Sequence, residues 1–172
     1  MIIDAKDAGS RSCGVTFTLL GKYSRARDFL RLDETAEISR AVKVEILLRQ
    51  HKAGELLQSS ERLPQWGGYD MVLAFLRRDP REKVSAMANQ LSLTPDPETN
   101  YFSATHLSYV NQTEAALAML KRTVEEGYCS YPGMDSDPLL ANLRSKPEFV
   151  ELRAAGMRCQ NKFLSDAGIT VQ

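Results

Sequence analysis

The chain has 172 residues, 43% of them hydrophobic and 26% charged, which is the composition of an ordinary globular domain. Its 22 Lys and Arg residues balance 22 Asp and Glu residues, so no excess of positive charge points to nucleic acid as a partner. The sequence has no apolar run of about 18 residues, and its first residues lack the basic region and apolar core of a signal peptide. We therefore expect a cytoplasmic protein that does not bind a membrane.

The cysteines and histidines give no sign of a metal or nucleophile site. Cys13, Cys129 and Cys159 are widely spaced and odd in number, a pattern that favours free, partly buried thiols in a reducing compartment. Neither His51 nor His106 belongs to an HExxH or Glu-x-x-His motif. We predict no metal, no cofactor and no catalytic residue.

The N-terminal half predicts two pairs of helices. Residues 5–20 and 24–32 flank a turn at Gly21. Residues 36–50 place Ala41, Val44, Leu47 and Leu48 on one helix face. A second helix over 53–63 then returns to Pro64, which ends it.

The C-terminal half continues in the same way. An apolar block over 70–78 is followed by Asp79-Pro80, a helix-start signal, and by a helix that turns Val84 and Leu91 inward. Residues 98–110 and 112–126 form the next pair, and Gly127 ends it. After an irregular stretch, Asp137-Pro138 and Lys146-Pro147 each start a helix. No run of four or more residues shows convincing β alternation.

The turns recur at a nearly regular spacing. Alignment of Gly21, Arg49, Asp79 and Asn111 gives separations of 28, 30 and 32 residues. A pair of helices has an apolar face that it cannot bury alone, so such pairs stack on their neighbours. This periodicity predicts an α-solenoid.

A small residue soon after the turn, Ala26, Gly54 or Ala116, lets the two helices of a pair approach closely. This small residue, together with Gly21 and Tyr23, forms a sequence pattern that resembles a tetratricopeptide repeat. The units are shorter than the usual period of about 34 residues. The resemblance implies a protein-binding surface on the concave side of the solenoid.

The C-terminal part carries a second resemblance. The segments GYCSYP at 127–132 and DPLLANLRSKPEF at 137–149 are similar to the terminal cap of tetratricopeptide regions in bacterial multidomain signalling proteins. In those proteins the repeats are attached to serine/threonine kinase, adenylate cyclase or winged-helix regulator domains. This chain contains no motif of any of the three.

These observations predict one all-α domain over 1–172, a solenoid of antiparallel helix pairs with a C-terminal helical cap. The predicted units are repeats at about 5–32, 36–63, 66–92 and 97–127 and a cap at 136–163. The residues that we expect to be buried are Leu20, Tyr23, Ala26, Leu30, Leu47, Leu57, Phe75, Leu76, Val84, Leu107, Ala116, Leu120, Leu140, Leu143, Phe149 and Leu152.

The candidate binding residues lie on the first helix of each pair, because that helix lines the concave face of such a solenoid. Arg40 and Lys43 occupy the helix over 36–50. Tyr101 and Thr105 share a stripe with Ser108 on the helix over 98–110, a polar pattern more typical of a groove than of a core. The alternative is that the aromatic rings of this region pack the cap against the last helix pair.

The leading functional hypothesis is a non-catalytic module that binds a protein or peptide on its concave face. A second hypothesis is a regulatory or self-association module of a larger bacterial signalling protein, which leaves homo-oligomer formation open. A third, a small enzyme that uses the groove, has no residue evidence in its favour.

Overall fold

The computed structural model describes residues 5–32, 34, 37–58 and 68–169, with side chains from Ser12 onward. All regular structure in these residues is helical, so the predicted all-α class is confirmed. The elements are α1 (Ala5–Leu19), α2 (Tyr23–Leu30), α3 (Glu37–Arg49), α4 (Ala53–Gln58), α5 (Tyr69–Leu76), α6 (Arg81–Gln90), α7 (Pro97–Tyr109), α8 (Thr113–Glu125), α9 (Gly133–Ser136), a 3₁₀ helix (Pro138–Leu143) and α10 (Pro147–Asp166). The predicted boundaries at 36, 63 and 66 lie outside the described residues.

One turn geometry joins the two helices of each of the first four pairs. Gly21, His51, Arg78 and Asn111 all have positive φ, between 57° and 68°. Each donates its N–H to a carbonyl three residues earlier, and the following residue donates to a carbonyl five residues earlier. This is the left-handed C-terminal cap of an α-helix, and its recurrence gives four similar helical hairpins.

The second and third turns do not lie at Arg49 and Asp79, where the alignment predicts them. The turn residues are His51 and Arg78, whereas Arg49 is the last residue of α3 and is 3% exposed. The shift moves the close-contact position of the second hairpin from Gly54 to Leu56, which is 4% exposed. A Cβ added at Gly54 would meet nothing within 4 Å, so this glycine does not serve helix approach. The alignment of Arg49 with the turn is wrong, because Arg49 still belongs to α3 and its side chain is buried.

The hairpins contact one another in chain order. α1 and α2 pack on α3, α4 packs on α5, α5 packs on α7, and α10 packs on α8. One apolar cluster lies between the first two hairpins, and a larger one runs from α3 to the C-terminal segment. Within the described part of the chain, no helix is both long and apolar enough to cross a membrane.

Most of the predicted core is confirmed. The buried members are Ala26, Leu30, Val84, Leu107, Ala116, Leu120, Leu140, Leu143 and Phe149, and the half-buried ones are Tyr23, Leu47, Phe75, Leu76 and Leu152. The prediction is wrong for Leu20 and Leu57, which are 54% and 43% exposed. Leu20 lies in the turn beyond α1, and Leu57 follows the buried Leu56, so it points about 100° away around a short helix.

The C-terminal segment, which comprises α9, the 3₁₀ helix and α10, contacts more of the chain than the last hairpin. α10 packs on α8, whereas the 3₁₀ helix lies on α7 and also reaches α3. The segment therefore fills part of the face formed by the first helices of the hairpins.

A disulfide joins Cys129 to Cys159, with their Cα atoms 5.3 Å apart. The expectation of free thiols is therefore wrong for these two residues, and Cys13 is a free cysteine. The two cysteines are 30 residues apart in sequence and meet because α10 folds back along the loop that follows α8. Such a contact leaves no mark in cysteine spacing alone.

We predict that Phe149→Ala destabilises the fold by about 3–5 kcal/mol, because its ring is 1% exposed and its removal leaves a cavity. In a chain of this size the melting temperature should fall by roughly 6–20 °C. Val150→Ala is the control, since Val150 is the next residue and is 54% exposed. Equal melting curves for the two variants would show that the ring does not hold the C-terminal segment.

Candidate functional site

The polar stripe of α7 faces the chain's own C-terminal segment. The Tyr101 hydroxyl donates to Asp137 Oδ2 at 3.2 Å. The Ser108 hydroxyl lies 2.6 Å from the carbonyl oxygen of Leu139. Thr105 donates at 2.8 Å to a carbonyl of its own helix. Tyr101 and Ser108 of the stripe thus bond to residues of the segment from α9 to the 3₁₀ helix, and Thr105 bonds within α7.

Two of the four candidate binding residues are largely covered. Tyr101 is 1% exposed and Thr105 is fully buried, and Tyr101 also lies among the residues that border the open cleft described below. The alternative, that the rings pack the cap against the last hairpin, describes what is seen.

The other two candidates lie elsewhere. Arg40 and Lys43 are half-buried on α3. Lys43 borders a separate cleft of about 290 Å³ between α2, α3 and α4. The four candidates therefore do not form one surface.

A buried ionic cluster lies where the hairpins meet the C-terminal segment. Arg49 donates to Asp137 Oδ2 from Nη2 at 2.7 Å and also pairs with Glu45. Glu45 in turn accepts from the Tyr69 hydroxyl at 2.7 Å and lies 2.8 Å from His106 Nε2. Every one of these residues is at most 3% exposed. The cluster thus joins α3, α5, α7 and the segment in one network.

Asp137 has two roles in this network. Its Oδ1 accepts the N–H of Leu139 at 3.0 Å and caps the 3₁₀ helix that Pro138 begins. Its Oδ2 accepts from Arg49 and Tyr101. The helix start predicted from Asp137-Pro138 is confirmed, and the same carboxylate fixes the segment to α3 and α7.

The electrostatics of the cluster favour the ionised carboxylate and guanidinium. Burial opposes ionisation of Glu45, but its interactions with His106 and Arg49 outweigh burial and lower the pKa of Glu45 to about 2. Burial likewise opposes ionisation of Arg49, and Asp137 and Glu45 outweigh it, so the pKa of Arg49 is raised. Burial, with a carboxylate beside each hydroxyl, raises the pKa of Tyr69 and Tyr101 well above the usual range.

Sequence reasoning missed this cluster although a signal was present. Glu45 and Arg49 are four residues apart on α3, where Val44, Ile46 and Leu48 are buried around them. An acid and a base one turn apart among apolar residues indicate a buried ion pair. The third charge, Asp137, lies 88 residues from Arg49, and only the fold brings them together.

An open cleft of about 410 Å³ lies beside the C-terminal segment. The end of α1, the start of α7, the loop over 127–133 and the distal part of α10 form its walls. Leu20 and Phe163 border it and are 54% and 61% exposed. Two exposed apolar side chains on separate elements of the chain thus border one concavity.

A cleft of about 490 Å³ lies at the turns of the third and fourth hairpins, where Phe75 and Leu76 are half-buried beside the charged Arg78, Asp79 and Arg81. Among the described residues, no group of three or more His, Cys, Asp or Glu is placed to hold a metal ion.

No family model, curated protein or solved structure matches the chain.

We predict that stability falls as the pH drops from about 4.5 towards 2. Glu45 has a folded-state pKa of about 2 against an ordinary value of 4.5, so its contribution is present above pH 4.5 and is lost in that interval. The loss is on the order of 3 kcal/mol. Urea unfolding of wild type and Glu45→Gln at a series of pH values checks it. The variant should be less stable at neutral pH and should lose less stability in this interval, and parallel pH profiles would contradict the assignment.

We predict that Asp137→Asn destabilises the chain by about 3–5 kcal/mol, because it removes one of the two carboxylates that compensate the buried Arg49 charge. The control is Asp135→Asn, which breaks a pair with Arg153 in which both side chains are more than one third exposed. That change should cost no more than about 1 kcal/mol. Denaturant unfolding measures both, and equal losses would show that burial of the Asp137 pair has no special weight.

Proposed function

We propose that this chain is a non-catalytic helical module that binds a peptide segment of a protein partner in the open cleft. The observation that carries the proposal is the pair Leu20 and Phe163, which are 54% and 61% exposed at the border of the concavity. A docked apolar side chain would remove both from water, with a gain of about 25 cal/mol for each Å² of apolar surface covered.

The lining residues indicate the chemistry of the partner. Tyr128 and Tyr131 on the loop add aromatic surface, which is frequent at the energetic centre of protein interfaces. Among the described residues that line the cleft, Glu98 is a carboxylate and there is no lysine or arginine. This lining suits an apolar peptide segment better than a phosphate backbone.

The buried cluster supports assigning a binding role to the cleft and a structural role to the cluster. Glu45, Arg49 and Asp137 satisfy one another under the C-terminal segment and are at most 3% exposed. A substrate could not reach them without displacing the residues that bury them. We therefore assign the cluster to holding the segment that forms one side of the cleft.

The resemblance to tetratricopeptide repeats supports the same proposal. Four hairpins with one turn geometry, packed in chain order, suit a repeat module that presents the first helices on one side. We propose that the remaining open part of that side, and not the stripe around Tyr101, receives the partner.

We expect a random peptide library, selected against the full chain in its disulfide-bonded form, to yield apolar peptides. Leu20→Ala and Phe163→Ala should each weaken a selected peptide by about 1 kcal/mol or more, roughly fivefold in Kd. Fluorescence anisotropy with labelled peptide measures the change.

The matched controls are apolar residues outside this cleft. Leu93→Ala removes a leucine that is 46% exposed, and Val150→Ala removes a valine of α10 that is 54% exposed. Both should leave the affinity unchanged. The cleft would be refuted as the binding site if Leu20→Ala and Phe163→Ala left the peptide affinity unchanged, or if the library yielded no binder.

A further inference from the structure

The disulfide joins two of the four elements that border the open cleft. Cys129 belongs to the loop over 127–133, which borders the cleft. Cys159 belongs to α10 and directly precedes Gln160, which borders the cleft together with Phe163. The bond therefore limits how far these two elements can separate.

α10 is attached to this loop and to α9 at three positions. Arg153 donates from Nη2 to Asp135 at 2.7 Å and lies over the Tyr131 ring at 5.8 Å. Gly156 packs so closely that an added Cβ would lie 2.6 Å from the carbonyl oxygen of Cys129. Cys159 then makes the covalent bond. The attachments are spaced three residues apart and follow one face of the helix.

The disulfide is the attachment nearest to the cleft-lining end of α10. Beyond Cys159 the helix continues to Asp166, and Lys162 pairs with Asp166 of the same helix at 2.6 Å. Phe163 is 61% exposed there. No residue over 160–166 is buried, and helix ends fray, so the disulfide at Cys159 limits fraying of this end of α10.

We propose that the redox state of Cys129–Cys159 controls binding in the cleft, which rests on the proposed function. With the bond intact, Phe163 is held at the border of the cleft and the cleft binds. With the bond reduced, the end of α10 frays and this border is lost. Arg153 and Gly156 still hold the first half of α10, so the fold persists.

The reductant is a dithiol. One of its thiolates attacks a sulfur of the Cys129–Cys159 bond, which breaks as a mixed disulfide forms and a cysteine thiolate leaves. The second thiolate of the reductant then attacks the mixed disulfide and releases the other cysteine. Two electrons and two protons pass to the protein, giving two thiols, and the reductant becomes a disulfide.

The test uses the full chain and the apolar fluorescent anion 1-anilinonaphthalene-8-sulfonate as the probe. We expect its affinity for the oxidised protein to fall at least about threefold on reduction with dithiothreitol, since binding must then order the Phe163 side chain. The double variant Cys129→Ser, Cys159→Ser should match the reduced protein without reductant. Cys13→Ser is the matched control and should keep the full redox response.

Amide hydrogen exchange follows the same change without a ligand. Reduction should speed exchange over residues 160–166 and leave α7 unchanged, which also shows that the fold persists. Equal exchange and equal probe affinity in both redox states would overturn redox control. Faster exchange in α7 would overturn it too, because the loss of binding would then reflect unfolding.

The two proposals fail in different ways. Redox control is refuted, and the cleft is supported, if Leu20→Ala and Phe163→Ala lower the probe affinity but reduction with dithiothreitol leaves it unchanged. Oxidised protein whose probe binding ignores Leu20→Ala and Phe163→Ala refutes the cleft itself, whatever the exchange experiment shows.

Discussion

The pairing of Arg49 with Asp137 is the interaction on which the rest of the structure depends. It joins the second hairpin to a segment 88 residues later, in a place where both side chains are about 1% exposed. Moving two charges out of water is costly unless their hydrogen bonds are satisfied. Here Glu45 and Tyr101 supply the further partners, so the network is stable only when α3, α7 and the segment are all in place.

This dependence explains why the first helices do not present an open groove. A polar stripe on α7 usually suggests solvent or a ligand, yet Tyr101 and Ser108 bond to Asp137 and to the Leu139 carbonyl. The segment satisfies these groups and buries Leu139, Leu140 and Leu143 over them. The segment thus covers part of the face formed by the first helices and completes the core there.

The open cleft is bordered by the same segment. The loop over 127–133 borders the cleft before the chain enters the 3₁₀ helix, and α10 then returns to border it as well. Residues that stabilise the fold and residues that border the cleft are therefore neighbours in this part of the chain. The disulfide joins two of the elements that border the cleft.

The sequence by itself determined the helical class, the hairpins at Gly21 and Asn111, and the helix starts at Asp137-Pro138 and Lys146-Pro147. These depend on periodicity, on left-handed turn positions and on proline, all of which act within a few residues. Only the tertiary structure decided that Arg49 lies in the core, that Tyr101 bonds to Asp137, and that Cys129 bonds to Cys159. Each of those outcomes requires a partner 30 or more residues away in sequence, and the local pattern around a residue does not specify such a contact.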